Sequence, residues 1–399
     1  MNLLLVSIHY PPKRSSCAVQ MKDLAEQFLL EGHKPVVIVP DDGLSSLSKV
    51  DEINGVKVYR LKSPKIIDIG YFRRAINETL LSFFMLRAIR KTDLNLKDFD
   101  GIIWYSPSIF FGPLVWYIKR VANIKSYLIL RDIFPEWAID IGVLKKGPIY
   151  YLFKLIAKFQ YYVADSIGVQ TESNLNYLSR WKKGRAGRRL EVLNNWLSDG
   201  EKNPSSILIK NTKLKNRKIF IYIGNMGIAQ SMDIILDLSD IYKKDNNVGF
   251  LFVGRGSEVE RLKKITNEKL LNNVLFYDEI NPDELDSLLK DCDVGIVALD
   301  PRHKSHNIPG KFLTYMQSGL PVLARINKNT DLEKLININR VGKVYSGSNL
   351  NEFYKLAQEI INDKDQRILM SQNGKDLSKK LFSSQSATEK ILMSFRQIS

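Results

Sequence analysis

Two glycine-containing turns in the second half of the chain have the composition of phosphate-binding loops. Gly224-Asn225-Met226-Gly227 follows the strand predicted over residues 218–223, and Gly254-Arg255-Gly256 follows the strand predicted over 248–253. Glycines between a buried strand and a helix expose backbone N–H groups at the positive end of the helix, which suits a diphosphate. One such turn is equally typical of a tight turn without a ligand. Two of them at successive strand ends, with Arg255 as a cation, indicate an anion site more strongly.

A second anion site is indicated by the segment Pro309–Ala324. Pro309 fits the first turn of a helix, and Gly319 fits the end of that helix before the next strand. Lys311 would then project from the positive end of the helix. An ordinary capped helix does not need a lysine at this position, so we interpret Lys311 as a ligand of a negatively charged group.

Three polar residues follow predicted strands in the first half of the chain. Asp132 comes almost directly after the strand predicted over 126–130, Glu136 follows one helical turn later, and His9 lies at the end of the first strand. The carboxyl ends of parallel strands border the ligand site in such folds. A carboxylate there could take the proton from an attacking hydroxyl group. Asp132 as the N-cap of the next helix is equally consistent with the sequence.

The sequence contains no convincing metal site. His303 and His306 lie in the loop before the predicted helix, but no carboxylate is positioned to join them. Asp291-Cys292-Asp293 has the letters of a D-x-D motif, yet it precedes a predicted buried strand, and we interpret it as structural. The two cysteines, Cys17 and Cys292, cannot form a disulfide framework, so a reducing cytoplasm is the default expectation.

The net charge of +16 is concentrated in two stretches of the first half. Residues 60–91 include eight basic and two acidic residues, and residues 180–189 include six basic and no acidic ones. Together they carry 12 of the 16 charges and predict an anionic partner: lipid headgroups, a phosphorylated substrate or nucleic acid. A solvated basic surface without a partner is the alternative.

The first basic stretch includes an amphipathic helix predicted over residues 71–91. Its apolar stripe, with Phe84 beside it, consists of Phe72, Ile76, Leu80 and Phe83. Its basic flanks are Arg73, Arg74, Arg87, Arg90 and Lys91. A basic helix with aromatic residues on its apolar side lies in the plane of a membrane interface. We therefore predict that this helix attaches the protein to an anionic membrane; a core helix over the first sheet is the alternative.

Alternating strands and helices must position these residues. Short apolar runs rich in β-branched residues predict buried parallel strands along the whole chain. The first series comprises residues 3–8, 36–39, 101–105, 126–130, 166–170 and 190–193, and the second comprises 218–223, 248–253, 274–276, 294–297 and 321–323. Two such series, separated by the polar stretch 198–216, predict two Rossmann-like doubly wound α/β domains, 1–198 and 199–379, that face a cleft. We interpret the polar stretch as the linker that joins them. A C-terminal helix at about 380–399 is expected to pack back on the first domain. No run of 18 apolar residues occurs, so no membrane-spanning helix is predicted.

The glycine turns, the Pro309–Ala324 segment and this architecture resemble the GT-B-fold glycosyltransferases of family 4. The similarity covers essentially the full chain. Within the family it is most marked for the bacterial O-antigen and capsule transferases, especially the N-acetyl-fucosamine type. Three motifs resemble that subgroup in particular: Tyr10-Pro11-Pro12, Arg131–Glu136 and Ile308-Pro309-Gly310-Lys311.

The resemblance implies a metal-independent, retaining transferase on the inner face of the bacterial cytoplasmic membrane. It would move a sugar such as an N-acetylated deoxyhexose from a UDP-sugar to a polyprenyl-diphosphate-linked saccharide, with no cofactor besides the donor. Asp132 is then the candidate base, Lys311 stabilises the leaving diphosphate, and His9 and Glu136 lie on the acceptor side. The expected donor contacts are Gly224, Asn225, Met226, Gly227, Gly254, Arg255, Ile280, His306, Pro309, Gly310 and Thr314.

The sequence departs from the broad family at several of these positions. His306 and Thr314 stand where the family has two glutamates eight residues apart, near the donor sugar and the ribose. Asn225 and Gln230 stand where an arginine and a lysine often bind the donor diphosphate, and Ser15-Ser16 replaces a Gly-Gly pair in the first loop.

Two other functions remain open at this point. A UDP-sugar 2-epimerase resembles the same fold but needs neither an acceptor nor a membrane. A nucleic-acid-binding protein would explain the positive charge. However, the basic stretches contain no recognisable DNA- or RNA-binding motif, so no nucleic acid partner is expected.

Overall fold

The chain folds into two α/β units in a computed structural model. The first unit comprises Met1–Trp196 and Ser384–Ser399, and the second comprises Leu197–Ser383. The structure describes residues 1–13, 15–66, 69–106, 108–140, 142, 144–200, 202–300 and 308–397, without the side chains of Tyr71, Phe72, Trp137 and Asp140. The sequence prediction placed the corresponding boundaries after residues 198 and 379.

An eight-stranded sheet forms the centre of the first unit. Its strands are β1 (Asn2–Val6), β2 (Lys34–Asp41), β3 (Ser48–Ile53), β4 (Val56–Lys62), β5 (Gly101–Tyr105), β6 (Lys125–Leu130), β7 (Ser166–Val169) and β8 (Arg189–Val192). Their order is β3-β4-β2-β1-β5-β6-β7-β8, and all neighbours are parallel except β3 and β4. The helices up to this point are α1 (Ser16–Leu30), α2 (Tyr71–Ile89), α3 (Gly112–Ala122), α4 (Glu136–Asp140), α5 (Pro148–Val163), α6 (Glu172–Tyr177) and α7 (Ser179–Lys183).

The second unit contains a six-stranded, fully parallel sheet. Its strands are β9 (Lys218–Ile223), β10 (Val248–Val253), β11 (Val274–Tyr277), β12 (Val294–Ala298), β13 (Val322–Arg325) and β14 (Gly342–Tyr345), in the order β11-β10-β9-β12-β13-β14. Its helices are α8 (Asp233–Ile241), α9 (Val259–Glu268), α10 (Leu285–Lys290), α11 (Gly310–Ser318), α12 (Asp331–Asn339), α13 (Leu350–Asn362) and α14 (Lys364–Leu381). A last helix, α15 (Ser384–Gln397), belongs to the first unit.

The alternation of side chains along β1 explains the two helical layers of the first unit. Leu4 and Val6 lie in a core shared with α2, α3 and α5, whereas Leu3 and Leu5 lie in a core shared with α1 and α15. Successive side chains of a strand point to opposite faces, so both faces of this sheet are buried. Gly101 of β5 lets α15 approach closely, because a Cβ at that position would lie 3.0 Å from the ring of Phe395.

Tyr315 fixes α11 to the sheet of the second unit. Its side chain is fully buried, and its hydroxyl group accepts a hydrogen bond from the N–H of Ile223 at 3.1 Å. The same hydroxyl lies 3.1 Å from the carbonyl oxygen of Ile221 and 3.3 Å from that of Ile296. Gly295 leaves room for the ring, since a Cβ there would lie 2.7 Å from it. These contacts join α11 to β9 and β12 together.

The predicted fold class of two doubly wound parallel-sheet domains is confirmed. The strands predicted over 101–105, 218–223 and 248–253 agree with β5, β9 and β10 residue for residue, and the other predicted strands agree within two residues at either end. These strands were predictable from long apolar runs, because both faces of a parallel sheet are buried. The prediction that Gly319 ends its helix is confirmed, since Gly319 is the left-handed C-cap of α11.

Other elements differ from the sequence prediction. It omits β3, β4, β14 and α14. The example of β3 shows the reason, because this edge strand has no apolar run and its Asp51 binds Arg60 of β4 at 2.5 Å.

The polar stretch 198–216 is not a free linker. Its apolar side chains Ile207, Ile209 and Leu214 are buried in the core of the second unit. In the described part of the chain, no helix has both the length and the apolar character to cross a membrane.

The contact between the two glycine turns generates a stability prediction. Gly254 has a φ of +148°, and a Cβ there would lie 2.1 Å from the carbonyl oxygen of Gly224. Gly254→Ala should therefore lower the free energy of unfolding by at least about 2 kcal/mol, measured by chemical denaturation followed by circular dichroism. Gly310→Ala is the matched control, because its Cβ would meet no atom within 4 Å. Equal stability of the two variants would contradict the tight contact.

Candidate functional site

A pocket of about 450 Å³ lies at the carboxyl ends of three strands of the first unit. Ile8 and His9 follow β1, Tyr105 ends β5, and Arg131 and Asp132 follow β6, and all five residues line the pocket. The chain order reverses direction on the two sides of β1, which lies between β2 and β5. Such switch points are where open α/β sheets bind ligands. The structure thus brings two of the predicted site residues, His9 and Asp132, into one pocket.

Asp132 has the environment of a proton acceptor. It is partly buried, and burial raises the pKa of the carboxyl group, while the neighbouring Arg131 acts to lower it. The alternative role as the N-cap of α4 does not apply, because that helix begins only at Glu136. A carboxylate with a raised pKa in a pocket is suited to general base catalysis.

Arg131, beside Asp132, is a structural cation. It is buried, it donates hydrogen bonds to the carbonyl oxygens of Leu193 and Asn194, and its guanidinium lies 4.9 Å from the ring of Trp196. Buried charges need such partners to offset the loss of water. These contacts hold the backbone next to Asp132 in place.

His9 offers a second polar group in the same pocket. Its Nδ1 lies 3.1 Å from Oγ of Ser15, and that hydroxyl also caps α1 by accepting from the N–H of Ala18. Its Nε2 is buried without a hydrogen-bond partner among the described residues. Burial and the nearby Lys13 lower the pKa of the imidazole. A neutral ring with an open nitrogen can bind a polar ligand group.

Glu136, the other predicted acceptor-side residue, lies elsewhere. Its Oε1 pairs with Nζ of Lys154 at 3.2 Å and accepts a hydrogen bond from the hydroxyl of Tyr150 at 3.4 Å. It is not among the described residues that line the pocket. In the structure Glu136 joins α4 to α5, and its predicted place on the acceptor side stays a prediction.

Helix α2 presents different residues to the core and to solvent. Its buried face consists of Leu81, Met85 and Ala88. The predicted stripe is a separate, exposed side, on which the exposed fractions of Ile76, Leu80 and Phe83 are 44%, 42% and 62%. Arg73, Arg87 and Arg90 are exposed as well. Phe72 was also predicted for this stripe, but its side chain lies outside the described residues. The alternative of a core helix therefore accounts for one face of α2 and leaves the stripe unexplained.

Arg74 differs from the other basic residues of this helix. It lines the pocket, and its Nε lies 3.0 Å from Oε1 of Glu78, which also lines the pocket. Its side chain is also 53% exposed, so its predicted place on the membrane flank stays a prediction. Burial raises the pKa of Glu78, and Arg74 acts to lower it.

A second exposed apolar surface, on α5, was not predicted. Its large exposed side chains are Ile149, Tyr151, Leu152, Leu155, Phe159 and Tyr162. Lys154 and Lys158 lie among them in the sequence. The alternating spacing of three and four residues from Leu152 to Tyr162 is the signal that could have revealed this face. Because α3 packs against both α2 and α5, the three helices form one layer.

Three of the six basic residues in the second basic stretch, 180–189, have partners within the first unit, whereas Arg180, Lys182 and Lys183 are exposed. Arg185 pairs with Asp165 at 3.6 Å, Arg189 pairs with Glu191 at 2.7 Å, and the guanidinium of Arg188 lies 4.9 Å from the ring of Trp181. Structural pairing accounts for these charges without an anionic partner.

In the second unit, the two predicted phosphate turns pack against each other. A Cβ at Gly254 would overlap the backbone of Gly224, and a Cβ at Gly256 would lie 2.2 Å from the carbonyl oxygen of Met226. Both later glycines are therefore required by the approach of the two backbones. Their presence needs no ligand.

The N–H groups of the first turn are used in the same packing. Three of them donate within the unit: Gly224 to the carbonyl of Val253 at 2.8 Å, Met226 to that of Arg255 at 2.8 Å, and Gly227 to Oε1 of Gln230 at 2.9 Å. The side chain of Met226 is fully buried in the core. The prediction that this turn exposes its N–H groups to a diphosphate is wrong for these three groups. Those of Gly224 and Met226 extend the pairing of β9 with β10, and that of Gly227 binds the side chain of Gln230.

The helix after this turn does not provide an anion site either. This helix, α8, begins only at Asp233. The carboxylate of Asp233 lies at the positive end of the helix and pairs with Arg261 at 2.6 Å, which lowers its pKa. Asn225 is exposed and binds Gln230 at 3.2 Å.

Lys311 is the cation that the second unit places at a helix N-terminus beside the first turn. Pro309 is the N-cap of α11, and Gly310 is its exposed first residue. Nζ of Lys311 lies 3.5 Å from the ring centroid of Tyr222, and its Cε is 4.0 Å from the position of a Cβ on Gly224. Burial lowers the pKa of Lys311 to about 7. An amine so placed would gain from a negatively charged ligand.

The remaining predicted donor contacts are distributed around this edge. Thr314 is partly exposed, and its hydroxyl donates to the carbonyl oxygen of Gly310 at 3.4 Å. Arg255 pairs with Glu279 at 3.1 Å, and both side chains are exposed. Such a pair is weak, so Arg255 can exchange this partner for another anion. Ile280 packs partly buried against the core. The predicted contact His306 lies outside the described residues.

The D-x-D sequence has a structural role, as expected from the sequence. Oδ2 of Asp293 accepts a hydrogen bond from the N–H of Ile219 at 2.8 Å, and the N–H of Asp293 donates to the carbonyl of Ile219 at 3.0 Å. These bonds align the starts of β9 and β12. No cluster of three metal-binding side chains occurs among the residues that the structure describes.

Comparison with known proteins gives sequence matches to glycosyltransferases. Residues 206–377 match the family described as glycosyl transferases group 1. The probable glycosyltransferase WbjE of Pseudomonas aeruginosa is 27% identical over 230 residues, covering 56% of this chain and 57% of that protein. The putative colanic acid biosynthesis glycosyl transferase WcaI of Escherichia coli (strain K12) is 22% identical over 365 residues, covering 84% of this chain and 86% of that protein. The match to WbjE thus spans less than two thirds of that relative.

Solved structures show the fold. Sucrose-phosphate synthase from Thermosynechococcus elongatus matches with a TM-score of 0.73 at 14% identity, covering 100% of this chain and 98% of that one. Anabaena Alr3699/HepE in complex with UDP-glucose matches with a TM-score of 0.67 at 15% identity, covering 99% of both chains. The fold is that of the GT-B glycosyltransferases, and the sequence matches support a transferase enzyme.

Proposed function

We propose that this chain, a glycosyltransferase by fold and by sequence match, transfers a sugar from a UDP-sugar to a polyprenyl-diphosphate-linked saccharide. The observation that carries the proposal is Lys311 at the N-terminus of α11, within the segment that matches the glycosyltransferase family. The Anabaena structure with UDP-glucose supports UDP as the carrier. The name of the Escherichia coli relative, which refers to colanic acid biosynthesis, supports a role in polysaccharide biosynthesis.

The donor diphosphate gains negative charge as the sugar leaves, and Lys311 is the group that stabilises it. The positive end of α11 and the ammonium of Lys311 act on the same ligand, in an environment where burial strengthens electrostatic interactions. The proposal needs no metal ion, which is supported by the structural use of Asp293 in the D-x-D sequence. The sequence resemblance supports an N-acetylated deoxyhexose as the sugar and retention at its anomeric carbon.

On the acceptor side, Asp132 takes the proton of the attacking hydroxyl group. Its raised pKa and its place in the pocket support this role. His9 lines the same pocket, and its open Nε2 can hold a polar group of the acceptor saccharide. The proton moves from the acceptor oxygen to a carboxylate oxygen of Asp132 as that oxygen bonds to the anomeric carbon and the bond from this carbon to the diphosphate oxygen breaks. For retention, the acceptor oxygen attacks from the face that the diphosphate leaves.

We further propose that the first unit docks on the inner face of the cytoplasmic membrane. Support comes from the exposed stripe Ile76, Leu80 and Phe83 on α2 and from the exposed apolar side of α5. Exposed arginines and lysines accompany both surfaces. Apolar helix faces with basic neighbours favour the interface of an anionic bilayer.

A panel of UDP-sugars tests the proposal, with a synthetic polyprenyl-diphosphate sugar as the acceptor and mass spectrometry as the readout. One UDP-sugar should extend the acceptor by one sugar, and NMR of the product gives the anomeric configuration. Each UDP-sugar is also incubated without acceptor. Net inversion at its C2 position under that condition, with no transfer, would identify an epimerase and overturn the proposal.

The lowered pKa of Lys311 predicts that UDP binding takes up a proton. The free amine titrates near pH 7, and a bound diphosphate favours its charged form, so the pKa rises in the complex. At pH 8, calorimetry in buffers of different ionisation enthalpy should show uptake of up to about one proton per UDP. UDP affinity should then weaken as the pH rises from 7 to 9. Lys311→Met is the control, and it should remove the uptake.

The same residue should contribute to turnover. Lys311→Ala is expected to raise the activation free energy by about 3 kcal/mol and so to lower kcat roughly a hundredfold. The melting temperature of the variant reports on the fold. A folded variant with turnover within about twofold of the wild type would show that Lys311 only caps its helix.

Asp132→Asn should lower kcat far more than it weakens UDP binding, because the amide keeps the shape and loses the basicity. Steady-state kinetics and UDP calorimetry on the same preparation separate the two effects. Glu136→Gln is the comparison variant, since Glu136 lies in an ion pair away from the pocket. A parallel loss of UDP affinity and rate in the Asp132 variant would assign it a structural role.

The exposed stripe of α2 generates a membrane prediction. The double variant Arg73→Glu/Arg87→Glu should no longer sediment with anionic liposomes. Each basic residue near such a surface contributes roughly 1 kcal/mol to the free energy of membrane binding. Activity on long-chain acceptors should fall, while activity on a short water-soluble acceptor should remain. Unchanged sedimentation of the folded variant would rule out this stripe as the attachment.

A further inference from the structure

We propose that the pocket of the first unit binds the diphosphate of the lipid-linked acceptor through Arg74. The identity of the acceptor rests on the function proposed above, whereas the anion site itself stands on the structure of the first unit. Arg74 lines the pocket together with Asp132 and His9. The proposal therefore places a phosphate ligand and the candidate base in one cavity.

The helical period separates Arg74 from the membrane stripe. Ile76 and Phe83 lie about 200° and 180° around the helix axis from Arg74, at 100° per residue. Arg74 and Glu78 are four residues apart, on the side of α2 that turns toward the unit. Arg73 and Arg74 are both exposed, but Arg73 is not among the described residues lining the pocket. One helix thus carries an apolar stripe on one side and a cation facing a cavity on the other.

This arrangement matches the geometry of a lipid diphosphate. A helix lying in the interface buries its apolar side roughly 5–10 Å into the boundary between headgroups and acyl chains. Its opposite side is about one helix diameter, roughly 10 Å, farther from the chains. The phosphates of a lipid carrier lie at headgroup depth. A cation on that opposite side can therefore reach the diphosphate while the lipid chain stays in the membrane.

Arg74 is held in a form suited to this ligand. Its Nε binds Glu78 at 3.0 Å, and a guanidinium has two further nitrogens that can bind phosphate oxygens in a bidentate manner. His9 adds Nε2, a buried atom without a hydrogen-bond partner in the described part of the chain. Glu78 opposes the ligand by its negative charge and by competing for the guanidinium. Removing that charge should therefore strengthen anion binding.

Geranyl diphosphate is a water-soluble probe for this site. Binding is measured by calorimetry with the full chain and saturating UDP, so that the donor site is occupied. Arg74→Gln should weaken binding at least tenfold, whereas Arg73→Gln, the matched control on the same helix, should stay within twofold of the wild type. Glu78→Gln should bind more tightly than the wild type. Geraniol, which lacks the phosphates, should show no dependence on residue 74.

Liposome co-sedimentation completes the test. Arg74→Gln should keep the wild-type sedimentation, because its side chain faces the pocket, while Arg73→Gln should lower it. No binding of geranyl diphosphate to the wild type, equal binding by the two arginine variants, or weaker binding by Glu78→Gln would each overturn the site.

The outcomes also separate this inference from the proposed function. If binding depends on Arg74 and no lipid-linked acceptor is glycosylated, the proposed function fails and the anion site stands. If transfer to a lipid diphosphate proceeds equally well in folded wild type and Arg74→Gln, the anion site fails and the proposed function stands.

Discussion

The position of Lys311 depends on the buried hydroxyl group of Tyr315. The two residues are four apart on α11 and share one side of the helix. Tyr315 can be buried because its hydroxyl binds backbone groups of β9 and β12 and because Gly295 leaves room for its ring. With the helix held there, its first turn reaches the carboxyl end of β9, and Lys311 lies over the ring of Tyr222. The donor side of the proposed reaction follows from this one anchored helix.

The surroundings of three cations, of which only Arg131 is fully buried, distinguish structural charges from functional ones. Arg131 has two carbonyl oxygens and the face of Trp196 as partners, so its charge is offset within the first unit. Lys311 has an aromatic face and no ion pair among the described residues, and its pKa falls to about 7. Arg74 has one carboxylate partner in a cavity. Charges that the protein offsets incompletely are those that gain most from a ligand.

Much of the fold was predictable, because parallel strands are buried on both faces and leave continuous apolar runs in the sequence. Residues 218–223 and 248–253 illustrate this, as the predicted and observed strands coincide. The edge strand β3 was not predictable in this way, since one of its sides faces solvent and its polar residues pair with β4. The stretch 198–216 was misinterpreted because a few apolar side chains, such as Leu214, suffice to pack a polar segment.

For the site, residue type and local spacing were sufficient to predict three features. These are a lysine at the start of a helix, a carboxylate after β6 and an apolar stripe on α2. Those features depend on short-range geometry, which the 3.6-residue period and the strand–helix order already specify. Only the tertiary structure decided what each residue faces. It placed Glu136 in an ion pair, used the N–H groups of Gly224 and Met226 in sheet pairing, and turned Arg74 toward a pocket. Such outcomes depend on residues distant in the chain, whose packing a local pattern does not contain.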